Sequence, residues 1–181
     1  MMIKMNRFYL YLLIFIFTII LSCEKLLEPF QENCECNSEE NKINMIFKYG
    51  VTAKNILNTY NCTFTKDMIV DPSLTVCLKL TEIELDSIYS KMNQIDFFNY
   101  PDTFLINIPS NTVVGFVTPF LTYYFFIEFD TLTKELFWED EIISPSNESA
   151  DNLSELIQMI TEMIQAKEEY RRLPSPRGGY L

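Results

Sequence analysis

From Ile43 onward, apolar and polar positions alternate in short runs, the two-residue period of half-buried strands. Met45, Phe47 and Tyr49 interleave with Ile46 and Lys48, and Thr63, Thr65 and Asp67 interleave with Phe64, Lys66 and Met68. Asn61 marks the expected tip of a first turn. Asp71-Pro72-Ser73 supplies the next, and Leu74 to Leu80 returns as a strand. The period then lengthens. Thr81-Glu82-Ile83-Glu84 is a capping box: the Thr81 hydroxyl accepts from the Glu84 amide, and the Glu84 carboxylate reaches back. Leu85, Ile88, Met92 and Ile95 follow at helical spacing, so one face is apolar. Asn99-Tyr100-Pro101-Asp102 ends that helix, because the residue before a proline avoids helical backbone.

Phe104 to Ile108 reads as a short strand, and Thr112 to Thr118 and Leu121 to Phe129 as two more, rich in Val, Phe, Tyr and Ile. Asp130-Thr131-Leu132-Thr133 forms a compact turn from which Lys134 to Glu139 returns. This hairpin sets Tyr124, Phe126 and Glu128 on one side and Tyr123, Phe125, Ile127 and Phe129 on the other. Pro145 to Asn152 reads as polar loop. Leu153, Leu156, Ile157, Ile160, Met163 and Ile164 then mark a second amphipathic helix, with Arg171 and Arg172 near its end complementing the helix dipole. The tail from Leu173 to Leu181 carries two prolines and two glycines and is expected to be non-helical. Strands, helix, strands, helix: this order predicts an α+β fold, an antiparallel sheet with two amphipathic helices packed on one face. A single globular domain over residues 43–181 is expected.

The beginning of the chain follows another logic. Lys4 and Arg7 precede an apolar stretch of about 14 residues, Phe8 to Leu21, interrupted only by Thr18. A spanning helix needs roughly 20 apolar residues, so this stretch has the layout of a secretory signal. It stops at Ile20-Leu21-Ser22-Cys23, which resembles the lipobox of bacterial lipoproteins. The resemblance implies thioether lipidation of Cys23, cleavage after Ser22 and acylation of the new amino terminus. Each buried methylene of an acyl chain contributes about 0.8 kcal/mol, and stable anchoring takes more than one chain. Residues 1–22 are then a signal peptide, and the polar, acidic stretch 23–42 a flexible, lipid-anchored linker. Glu24 after the cysteine is similar to the enteric lipoproteins delivered to the outer membrane, which implies attachment there, in the bacterial cell envelope. Glu24-Lys25 only partly matches the acidic surface-export signal of Bacteroidota lipoproteins, so periplasmic and surface orientations both stay open.

Further along, Tyr49-Gly50, Thr63, Thr65-Lys66-Asp67, Leu80-Thr81, Phe97-Phe98 and Tyr100-Pro101-Asp102 carry a second likeness, together with Leu173-Pro174, Pro176 and Gly178-Gly179-Tyr180. The pattern is similar to small exported lipoproteins of the Bacteroidota type. Those relatives bring no assigned activity, so the likeness implies none.

Composition narrows the chemistry. The 181 residues hold 14 Lys+Arg against 25 Asp+Glu, a net charge of −11. Removing the signal takes away Lys4 and Arg7 and leaves −13. A nucleic-acid partner is excluded for want of a basic footprint. There is no histidine, which removes Ser-His-Asp and Cys-His catalysis, histidine-ligated zinc and a histidine general base. Cys23 apart, four cysteines remain: Cys34, Cys36, Cys62 and Cys77. In an exported chain they make two disulfides by one of three connectivities; Cys62 and Cys77 either bridge each other or receive the linker pair. Four-thiolate metal binding is the sharper alternative, and C-x-C followed by two isolated cysteines is poor spacing for it.

The candidate acidic and aromatic site is Trp138-Glu139-Asp140-Glu141 with Glu128 and Asp130 on the facing strand. It offers carboxylates for Ca²⁺ or for a glycosidase acid/base pair, against the simpler expectation of a solvated hairpin end. Trp138, Tyr123 and Tyr124 offer a sugar platform, against the simpler expectation of cross-strand core pairs. Lys66-Asp67 reads as a surface ion pair of little energy. Gly178-Gly179 lies after prolines, outside the strand-to-helix setting of a phosphate loop. Asp86-Ser87-Ile88 and Asp130-Thr131-Leu132 look like the short O-glycosylation pattern of exported Bacteroidota proteins.

No catalytic residue, metal or cofactor is assigned, and the absences weigh against an enzyme. The leading expectation is a non-catalytic interaction or structural module, held to the membrane through Cys23 and meeting a protein or glycan partner. The alternatives are an inhibitor or immunity-type lipoprotein that neutralises a basic partner, and a carboxylate-based glycosidase or Ca²⁺-dependent sugar binder.

Overall fold

A computed structural model describes Cys34, Cys36 and residues 43–143 and 147–181. The signal peptide, the Cys23 lipid site and the linker, apart from Cys34 and Cys36, lie outside the described residues. Cys34 to Leu181 is one compact unit.

The fold is α+β. Its sheet has seven strands: β1 (Ile43–Gly50), β2 (Asn55–Asn58), β3 (Thr63–Met68), β4 (Asp71–Cys77), β5 (Thr103–Phe104), β6 (Gly115–Phe129) and β7 (Leu132–Ile143). Their order is β4-β3-β2-β1-β6-β7-β5, antiparallel throughout except that β5 runs parallel to β7. The helices are α1 (Glu82–Gln94), α2 (Glu148–Ala166) and the short α3 (Glu168–Arg171), with a 3-10 turn at Phe97–Asn99.

Alternation in the sequence becomes two unlike sheet faces. Across the strands the register aligns Leu136 with Phe125, Phe125 with Phe47, Phe47 with Leu57, and Leu57 with Phe64. All five are buried. Tyr124, Phe126 and Glu128 alternate onto the opposite face, as the hairpin pattern predicts. Leu85, Ile88 and Met92 from α1 join the same apolar cluster, as do Leu153, Leu156, Ile160 and Ile164 from α2. Burying each such side chain contributes roughly 1.5–3 kcal/mol.

The capping box forms as expected. The Glu84 amide donates to Thr81 Oγ1 at 3.2 Å, and the Thr81 amide donates to Glu84 Oε2 at 2.7 Å. The helix stops at Gln94, before the Asn99-Pro101 signal, and the chain continues through Asp96 in a left-handed conformation into the 3-10 turn.

Four expectations are corrected. Asp71-Pro72-Ser73 is not a turn but the start of β4; the chain reverses at Ile69-Val70, where Ile69 takes φ +65°. Pro72 is tolerated because β4 is an edge strand, where an amide donor can be lacking. Phe104 to Ile108 is not a strand beyond Phe104, and Leu105 is solvent-exposed. The two strands expected on either side of Pro119 are one, β6, whose register to β7 shifts between Phe116 and Leu121. That irregularity absorbs a residue unable to donate to the ladder. The polar loop expected up to Asn152 gives way earlier to α2, capped by the Asn147 side chain, which accepts from the Ala150 amide at 3.0 Å.

Candidate functional site

The acidic and aromatic residues singled out on the hairpin do not converge. Trp138 is 2% exposed, its ring centroid 5.5 Å from Phe104 and 5.3 Å from Tyr123. It is a core residue. Tyr123 lies on the same buried face, whereas Tyr124 lies on the other, with Lys48 Nζ 5.2 Å from its ring centroid. No shared aromatic platform results.

Glu128 stands opposite Thr133, and Glu139 opposite Thr122. They are separated by the length of six β7 residues, roughly 20 Å at about 3.4 Å per residue. Paired glycosidase carboxylates sit about 5–10 Å apart. Asp130 occupies the exposed turn with φ +52°. Asp140 alternates onto the face opposite Glu139. Burial raises its carboxyl above the usual value. Burial first, and Asp140 second, push the Tyr123 hydroxyl up to about 12. Among the described residues no group of three or more His, Cys, Asp or Glu is arranged to hold a metal ion. The two glycosylation patterns differ in access. Thr131 is exposed in a turn, whereas Ser87 is on α1 with its hydroxyl donating to the Ile83 carbonyl at 2.7 Å.

The four domain cysteines form two disulfides. Cys34 pairs with Cys77 and Cys36 with Cys62, over separations of 43 and 26 residues. Cys77 ends edge strand β4, and Cys62 closes the β2–β3 turn, where its φ is +50°. The stretch read as linker is therefore joined to the domain at Cys34 and at Cys36. These thiols are consumed, so the thiolate metal alternative has no ligands left.

A different constellation was invisible in the sequence. At the end of β3 the register shifts between Lys66 and Met68, and a bulge breaks the alternation. Lys66, Asp67 and Met68 are consecutively buried, with Lys66 and Asp67 each 8% exposed. The expected surface ion pair is corrected: each side chain has its own partners. Lys66 Nζ donates to the Pro174 carbonyl at 3.0 Å and lies 4.6 Å from the Tyr170 ring centroid. The Asp67 carboxylate accepts from the Tyr180 hydroxyl and, at 3.0 Å, from the Ile69 amide.

The C-terminal tail makes these partners. Arg177 bridges in parallel to Ile69 and donates to the Asp71 carboxylate, with Nε at 2.8 Å. That guanidinium holds the Asp71 carboxyl below the usual carboxylate range. Gly178 has φ +83°, and a Cβ added there would meet Val70 Cγ2 at 2.8 Å. The glycine thus serves the close passage of the tail over the β3–β4 turn, not an anion loop.

Between this tail, α3 and the ends of β1 and β3 opens a cavity of about 710 Å³. Tyr49, Tyr170, Tyr180, Lys66, Gln165 and Arg171 line it. Burial, with Tyr170 as a smaller cause, raises the Tyr49 hydroxyl far above its ordinary value. These groups come from segments more than a hundred residues apart, so no local spacing announces them. Among the described residues no helix is long and apolar enough to cross a membrane. No protein-family model, curated protein or solved structure matches this chain.

Proposed function

We propose that this protein is an envelope lipoprotein, anchored through lipid on Cys23, whose domain is a non-catalytic interaction module. The observation that carries the reading is the pair of disulfides Cys34–Cys77 and Cys36–Cys62. Disulfides of this kind belong to oxidising compartments outside the cytosol, where a signal segment and lipobox would deliver the chain. They also suit the mechanics of a tether. Cys34 and Cys36 are each fixed covalently to the domain, at Cys77 and Cys62.

The non-catalytic part is supported by the scatter of the hairpin carboxylates and by the absence of histidine. In the layered arrangement we propose, α1 and α2 both cover the buried sheet face, which their shared apolar cluster favours. The outer membrane is the proposed site of attachment.

Peptide mapping under non-reducing conditions, on protein taken from its native envelope, tests the carrying observation. Cys34–Cys77 and Cys36–Cys62 linked peptides are expected. Four free thiols in that material would sink the reading.

A further inference from the structure

Basic side chains are scarce among the described residues, and five of the ten are paired. Lys91, Lys134, Lys167, Arg172 and Arg177 each contact a carboxylate. Lys66 and Arg171 form no ion pair among the described residues, yet both line the one 710 Å³ cavity. Lys66 is the more telling. An ammonium carries three donors, and among the described residues this buried one has a single carbonyl acceptor and a tyrosine face. Removing a charge from water without a counter-charge is costly. Burial lowers its affinity for the proton accordingly. An anion entering the cavity would complete its partners.

The remaining lining says what kind of anion. Tyr49 and Tyr170 contribute aromatic rings to the lining. The Gln165 and Ser175 side chains make no hydrogen bond among the described residues, and neither does the Arg171 guanidinium. Aromatic rings combined with uncommitted polar groups suit a polyhydroxylated ring better than an all-apolar body. The volume falls within the roughly 300–1,000 Å³ of small-molecule sites.

We propose that this cleft binds a carboxylate carried on a sugar ring, a uronic acid or a saccharide containing one. Lys66 supplies the buried counter-charge, and Arg171 meets the carboxylate in bidentate fashion at the rim. The tail from Pro174 to Tyr180 forms one wall, so ligand and tail stabilise each other. This assignment stands whether or not the chain is lipid-anchored.

Calorimetric titration of the full chain in detergent, disulfides intact, with sodium glucuronate tests it, with glucose as the neutral control. Saturable binding of glucuronate and none of glucose is expected. Arg171→Gln, which removes no structural bond, should weaken binding at least 5-fold, and Lys66→Met at least 10-fold. Inorganic phosphate should fail to displace glucuronate at equal concentration. The assignment is overturned if glucuronate does not saturate, if glucose binds as well, or if either variant keeps wild-type affinity. Displacement by phosphate at equal concentration overturns the sugar-acid class.

Discussion

Lys167 Nζ lies 2.6 Å from Glu84 Oε2, so one carboxylate caps the start of α1 and neutralises the residue that ends α2. Burial pushes this carboxyl upward, but the bonds from Lys167 and Thr81 outweigh it and hold Glu84 below its ordinary value. A depressed folded-state pKa contributes stability that is present above the unfolded value and lost as pH falls through the folded one. Stability should therefore decline on acidification below the ordinary glutamate range. Glu84→Gln should cost roughly 1–2 kcal/mol at neutral pH and flatten that acid limb, read by urea titration at several pH values. An unchanged acid limb would mean that Glu84 does not set it.

The two disulfides close loops of 43 and 26 residues. In the chain-entropy treatment such closures contribute about 4 and about 3.5 kcal/mol at 25 °C. Cys77→Ser and Cys62→Ser should each lower the denaturation midpoint, and reductant should do so for wild type. Equal midpoints with and without reductant would contradict the clamp.

Tail docking depends on a glycine. Gly178→Ala places a Cβ against Val70 in a left-handed conformation that costs alanine about 1–2 kcal/mol. Limited proteolysis should then cut within 174–181 faster, while the sheet core keeps its hydrogen-exchange protection. A tail equally resistant in wild type and variant would mean that this contact does not hold it.

Trp138 distinguishes a core from a platform. Trp138→Ala should destabilise by about 3–5 kcal/mol. Glu128→Gln and Glu139→Gln should stay within about 0.5 kcal/mol. A Trp138→Ala protein of native stability would return that residue to the surface.

Much of the architecture was legible because it is written in local signals. The capping box at Thr81–Glu84 names a helix start in four residues, and the β6–β7 alternation separates two faces without knowledge of the partner strands. Proline misled twice, in the same direction. Pro72 looked like a turn and lies in an edge strand; Pro119 looked like a break and lies within β6. Neither outcome depends on the residue itself, only on whether the neighbouring strand needs its amide. The reversal at Ile69 carries no turn residue at all. Asn147, with Glu148 and Asp151 behind it, was a readable cap signal for an earlier start to α2. The cavity is the extreme case: Lys66 meets Pro174 across 108 residues, so its burial is a tertiary fact. Cysteine counting left three connectivities; which one forms depends on where the β3–β4 edge presents Cys62 and Cys77.

Anchoring at Cys23 is read out by acyl-chain labelling combined with membrane fractionation. Wild-type protein should incorporate labelled palmitate and sediment with membranes, released by detergent but not by high salt. Cys23→Ser should be unlabelled and leave the membrane fraction. Unlabelled wild type, or a Cys23→Ser protein that stays membrane-bound, would contradict the account.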